Sequence, residues 1–114
     1  MRTPIEAIFE DWQRQQRVIL KKYGITRNQF KVLQAVASAK RQHAPNQQFI
    51  VKHTGMNKMV VSQTLDSLNK KMLITRIRGV IDTRQYTVRL GIPGRTLLDK
   101  VAPELAELEK LFSA

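Results

Sequence analysis

Residues 46–71 read NQQFIVKHTGMNKMVVSQTLDSLNKK, and residues 72–90 continue MLITRIRGVIDTRQYTVRL. In the first stretch Asn46 offers a cap for a short helix that buries Phe49 and Ile50 and runs to Thr54. Gly55 then supplies the permissive backbone that a tight helix-to-helix turn requires, with Met56 plugging the corner. Asn57 caps a second helix reaching about Lys71, in which Val61, Leu65, Leu68 and Met72 fall on one side at spacings of four, three and four. The opposite side holds Lys58, Met59, Ser62, Gln63, Asp66 and Lys70.

After Leu73 the pattern switches from helical to alternating. Ile74, Arg76 and Arg78 interleave with Thr75 and Ile77, and Tyr86, Val88 and Leu90 with Thr87 and Arg89, predicting two short antiparallel strands around a loop at 79–84. A helix-turn-helix followed at once by a hairpin is a narrower pattern than a helical hairpin alone. It predicts a winged helix-turn-helix fold, mainly α with a small antiparallel β-hairpin wing. Such a pair can dock one helix across double-stranded DNA and lay the next in the major groove.

The residue types suit that use. Lys58 is placed for a phosphate or a guanine edge, Gln63 for adenine, Ser62 for base or phosphate, and Met59 for a thymine methyl. Asn57 and Lys70 flank this face. Arg76, Arg78, Arg84 and Arg89 crowd the wing with only Asp82 opposing them, and guanidinium groups suit phosphate and the narrow minor groove. Asp66 cannot favour phosphate, so its expected role is an ion pair that orients an arginine, Arg84 or another.

On the N-terminal side, Ile5, Ile8, Phe9, Trp12, Ile19 and Tyr23 recur at helical spacings and predict an amphipathic helix ending near Tyr23-Gly24. Thr26 and Gln29 fit a capping box for a following helix with Phe30, Leu33, Val36 and Ala37 inward, and residues 40–47 form a polar loop. On the C-terminal side, Leu98, Val101, Leu105, Leu108 and Phe112 form one stripe, with Pro103 expected to kink or restart the helix.

The chain has 114 residues, enough for one domain burying roughly two-thirds of its unfolded surface. Its net charge of +11 points to a polyanionic partner. Residues 46–95 carry +7 of that charge, whereas residues 96–114 carry −2 and bind no anion. The absence of cysteine excludes disulfides and thiolate metal sites. No apolar run suits a signal peptide or a membrane span, so a cytoplasmic protein is expected.

An enzyme has little support. His43 and His53 lie on a loop and a short helix without an acidic neighbour, which makes neither a catalytic pair nor a metal site. No cofactor is expected. The apolar face with Phe9 and Trp12 could lie on an acidic membrane, but the polar face is not strongly basic and the C-terminal stripe offers a partner surface.

From Ile25 to Lys100 the chain resembles the MarR family of winged-helix regulators, including its shorter SarA-like relatives. The resemblance rests on Ile25-Thr26 with Phe30, Val32 and Leu33; on Gly55-Met56-Asn57 with Val61-Ser62, Leu65-Asp66 and Leu68; on Lys71, Leu73 and Ile74; on Asp82-Thr83-Arg84; and on Val88-Arg89-Leu90 with Gly94-Arg95 and Leu97-Leu98. It implies a homodimeric, sequence-specific transcriptional regulator, expected to be a repressor, dimerising through its N- and C-terminal helices. Residues 1–24 and 94–114 would then be the dimerisation helices, using Ile5, Ile8, Phe9, Trp12, Leu105, Leu108 and Phe112, and residues 25–93 the DNA-binding core. It further implies that Arg84 is the minor-groove residue and that Asp82 helps hold the wing.

The sequence departs from the family pattern in three places: an apolar wing tip, Gly79-Val80-Ile81; a longer loop at 40–46; and Met72 where a glycine usually ends the recognition helix. A left-handed residue there costs about 1 kcal/mol without glycine, which leaves a different helix end open. A small-molecule effector between the dimer helices and the winged part would also fit the family, although no residue set names one. The alternative reading is a winged-helix interaction module of phage or plasmid accessory type, without promoter-specific regulation.

Overall fold

The computed structural model describes residues 1–39, 44–79 and 86–113. Within them the chain runs α1 (Pro4–Lys22), α2 (Arg27–Ser38), α3 (Gln47–Thr54), α4 (Lys58–Lys70), β1 (Ile74–Arg78), β2 (Tyr86–Leu90) and α5 (Ile92–Ser113).

Side-chain caps start the first four helices. Thr3 with Glu6 and Thr26 with Gln29 form reciprocal capping boxes, each satisfying two orphan backbone donors. Asn46 Oδ1 accepts from the Phe49 amide at 2.9 Å, and Asn57 Oδ1 from the Met59 amide at 2.7 Å. Gly55, at φ 71°, makes the turn between α3 and α4.

The end of α4 corrects the sequence reading of Met72. The left-handed corner forms without glycine: Met72 has φ 64°, its amide donates to the Asn69 carbonyl, and the Leu73 amide donates to Leu68, both at 3.0 Å. This is the double hydrogen bond of a Schellman motif, which Gly24 makes at the end of α1. Met72 therefore leaves the apolar side of α4 and is 72% exposed, while Leu73 and Ile74 turn into the core.

That core is built on α2, which packs on α3, α4, β2 and α5. Leu20, Val32, Leu33, Ala35, Ile50, Val61, Leu65, Leu68, Val88 and Val101 are its fully buried members. Phe49, expected inside, instead lies at the surface and stacks on His53 with 5.6 Å between ring centroids. A helix of one short face can bury Ile50 fully, and its neighbour in sequence then points some 100° away.

The hairpin pairs Ile74 with Leu90, Arg76 with Val88 and Arg78 with Tyr86. The segment before α3 joins it, because the Val88 amide donates to the Pro45 carbonyl at 2.8 Å and Asn46 bridges to Thr87. At its far end the hairpin closes against α5 at Gly94, where a Cβ would stand 2.0 Å from the Leu73 carbonyl oxygen. Helix α5 then runs through Pro103 to Ser113 as one element, so the proline does not restart it.

The radius of gyration is 15.7 Å, against about 13 Å for a compact domain of this length. The terminal helices are the two longest elements, at 19 and 22 residues. Their outward surfaces expose Ile5, Ile8, Phe9, Val18 and Leu111.

Candidate nucleic-acid interface

The apolar spacing of α4 drives Val61, Leu65 and Leu68 inward and so turns the remaining positions out. Lys58, Met59, Gln63 and Lys70 are exposed on that outer face, and Ser62 is half-buried beside them. Asn57 stands at the start of the helix as its cap. The Gln47 amide donates to the Lys58 carbonyl at 3.3 Å, holding the beginning of α3 against the beginning of α4.

Among the described residues, Asp66 pairs with Arg76. Its Nη2 donates to Asp66 Oδ1 at 2.5 Å, and the guanidinium lies 5.2 Å from the centroid of the Tyr86 ring. Arg76 is three-quarters buried, on the strand face that carries Ile74 and Val88, whereas Arg89 is exposed on the other face. Thus Arg76 clamps the wing to α4, while Arg78 is exposed further along β1. Sequence reasoning missed Tyr86 in this cluster. The signal was present: cross-strand register puts Tyr86 diagonal to Arg76, within reach of a long side chain.

A second set of bonds, next to Asp66, holds the C-terminal end of α4. Lys71 Nζ donates to the Gly24 carbonyl at 2.9 Å and to Gln29 Oε1 at 3.3 Å, and Gln29 Nε2 donates to Ser67 Oγ at 3.0 Å. Read from the sequence, Gln29 has a capping role alone, because nothing local marks an amide that reaches a helix 38 residues away.

Arg84 and Asp82, with the wing-tip residues Val80 and Ile81, lie outside the described residues, as does His43. Among the residues assigned to dimerisation, Ile5, Ile8 and Phe9 are exposed, and Trp12 is half-buried, stacked on Phe9 and lying under the Arg27 guanidinium at 5.6 Å. Leu105 and Leu108 are buried within the protomer, and Phe112 is half-buried. The exposed apolar residue near the end of α5 is Leu111.

The two terminal helices are joined through Glu104. Lys22 Nζ donates to its Oε1 at 2.6 Å, and the Tyr23 hydroxyl donates to Oε2. The Lys22 hydrogen bond, then that of Tyr23, holds the Glu104 carboxyl below its ordinary range. The same carboxylate raises the pKa of Lys22 and, by accepting a hydrogen bond from its hydroxyl, that of Tyr23.

A helix-turn-helix with an exposed polar second helix, braced to a two-stranded wing, defines a winged helix-turn-helix protein. The chain belongs to the SarA/Rot family of transcriptional regulators, whose model matches residues 14–101. No curated protein matches it in sequence.

Solved structures share its fold. MepR, a transcription regulator of the Staphylococcus aureus multidrug efflux pump MepA, superimposes with a TM-score of 0.82 at 22% identity, over 94% of this chain and 77% of its own. MepR in a complex with DNA gives 0.80 at 22% identity, over 96% and 82%. AbsC, a MarR family transcriptional regulator from Streptomyces coelicolor, gives 0.82 at 17% identity, over 99% and 81%. No helix among the described residues is long and apolar enough to cross a membrane.

Proposed function

We propose that the protein is a homodimeric, sequence-specific regulator of transcription, acting as a repressor on double-stranded DNA from within the cytoplasm, with no catalytic step. The observation that carries this reading is the exposed row Lys58, Met59, Gln63 and Lys70 on a helix held at its start by Gln47 and through its second half by Arg76 to the wing and by Lys71 to the α1–α2 turn. Each recognition helix enters a major groove, with half-sites one helical turn apart, roughly 34 Å. Asn57, Lys58 and Lys70 take phosphate or base edges, Ser62, Gln63 and Met59 read bases, and Arg78 and Arg84 bring the wing to the flanking backbone and minor groove. Residues 25–93 form the DNA-binding core. Residues 1–24 and 94–114 supply the dimer, seated on the exposed apolar residues Ile5, Ile8, Phe9 and Leu111.

Selection of duplexes from a random-sequence pool tests this reading. Recovery of an inverted repeat with a fixed spacing supports it, whereas recovery of unrelated sequences bound equally well contradicts it. Gln63→Ala is expected to reduce discrimination at one base pair per half-site by about 1–3 kcal/mol, and Lys58→Ala to weaken all duplexes alike if Lys58 contacts phosphate.

A further inference from the structure

Among the described residues the buried polar side chains are Gln29 and Thr64, each 7% exposed. Thr64 is satisfied within its own helix, by the Val60 carbonyl at 2.6 Å. Gln29 is satisfied by the cap of its own helix and by α4. Its Oε1 accepts from the Thr26 amide at 2.9 Å and from Lys71 Nζ at 3.3 Å, while its Nε2 donates to Ser67 Oγ at 3.0 Å. Lys71 Nζ continues to the Gly24 carbonyl, and Ser67 Oγ to that of Thr64.

Apolar packing decides which face of a helix turns inward but leaves small changes of rotation and slide open, because burial is non-directional. Hydrogen bonds demand distance and angle, and a buried amide that loses its partners is penalised. The Gln29 amide therefore favours one rotation and one slide of the last two turns of α4. Its anchor is the turn that ends α1, the helix whose outer face is apolar and exposed.

We infer that Gln29 is a positioning residue for DNA recognition: with Lys71 and Ser67 it fixes α4 against the α1–α2 turn, and so sets the spacing at which a dimer presents its two recognition helices. This role rests on the dimeric DNA-binding function proposed above. Gln29 does not touch DNA, and it acts through the helix that does.

The test uses full-length Gln29→Met, which keeps side-chain length without the amide, and Lys71→Met at an exposed position. Three probes are titrated by fluorescence polarisation: a duplex selected by the wild-type protein, the same duplex with one base pair inserted between its half-sites, and a random duplex. Gln29→Met is expected to bind the random duplex as the wild type does. Both variants are expected to lose selected-over-random preference by about 3- to 30-fold and to tolerate the insertion better than the wild type.

A preference that survives both substitutions overturns this role alone. If Gln29→Met fails to fold, the ratio measured on Lys71→Met decides. A wild-type protein without any preference overturns the proposed function, and this role with it.

Discussion

The Arg76 guanidinium holds the Asp66 carboxylate at 2.5 Å and lies against the Tyr86 ring, so a strand of the wing and the outer face of the recognition helix share one ion pair. Asp66 itself is more than half exposed. Its charge repels phosphate, yet its bond orients the wing. Asp66→Ala is therefore expected to act with opposite signs on two probes. Binding to random duplex rises by about twofold to fivefold, the effect of one surface charge, while preference for a selected duplex falls by roughly tenfold, within the range for residues in one network. Parallel titrations check this, and a parallel rise on both duplexes would show that the pair does not orient the wing.

Met72 occupies a backbone conformation that costs an L-residue about 1–2 kcal/mol, and its exposed side chain gives little burial in return. Glycine relieves the strain but gains freedom in the unfolded chain. The expected net effect of Met72→Gly is stabilisation by about 0.5–1 kcal/mol, read as a higher urea midpoint with an unchanged slope. A lower midpoint contradicts the left-handed corner.

Gly94 is where the hairpin and α5 meet the end of α4. The Leu73 carbonyl lies 2.0 Å from the position of a Cβ, and it is backbone that cannot swing aside. Gly94→Ala is expected to cost at least about 3 kcal/mol, above the usual range for overpacking, by driving α5 off the core. Chemical denaturation measures this; a loss under about 1 kcal/mol would refute the close approach.

Glu104 links α1 to α5 and has a lowered pKa, first through Lys22 and then through Tyr23. A carboxyl depressed in the folded state contributes stability above its unfolded pKa and loses it as pH falls through the folded value. Glu104→Gln is thus expected to melt below the wild type near neutral pH, with the difference closing under acidic conditions, below the ordinary carboxylate range. Melting curves across pH test this. A difference independent of pH would mean that the ion pair contributes nothing.

What the sequence disclosed was local. Thr26 with Gln29, Asn46 and Asn57 act as the caps their positions suggest, since a cap needs only residues three or fewer apart. Apolar spacing located the inward faces of α2, α4 and α5, and alternation located the strands. Phe49, Met72 and Gln29 were misjudged or incompletely read for one physical reason: tertiary packing settled each. Ile50 took the core position beside Phe49, the turn into Leu73 outweighed the strain at Met72, and the partners of Gln29 lie on a distant helix. The outer face of α4 was legible because it is the complement of a periodic apolar stripe. The partner of Asp66 was not, because several arginines share the wing.

The most direct test of the central claim is a fluorescence-polarisation titration of the full chain against its own upstream DNA, a duplex it has selected, and a random duplex, at 50 and 200 mM salt. A sequence-specific, phosphate-contacting dimer is expected to prefer the selected duplex by about a thousandfold or more, and to lose about 10³–10⁵ in affinity across that salt range if six to ten phosphates are neutralised. Equal binding to all three duplexes, or affinity that does not respond to salt, would contradict it.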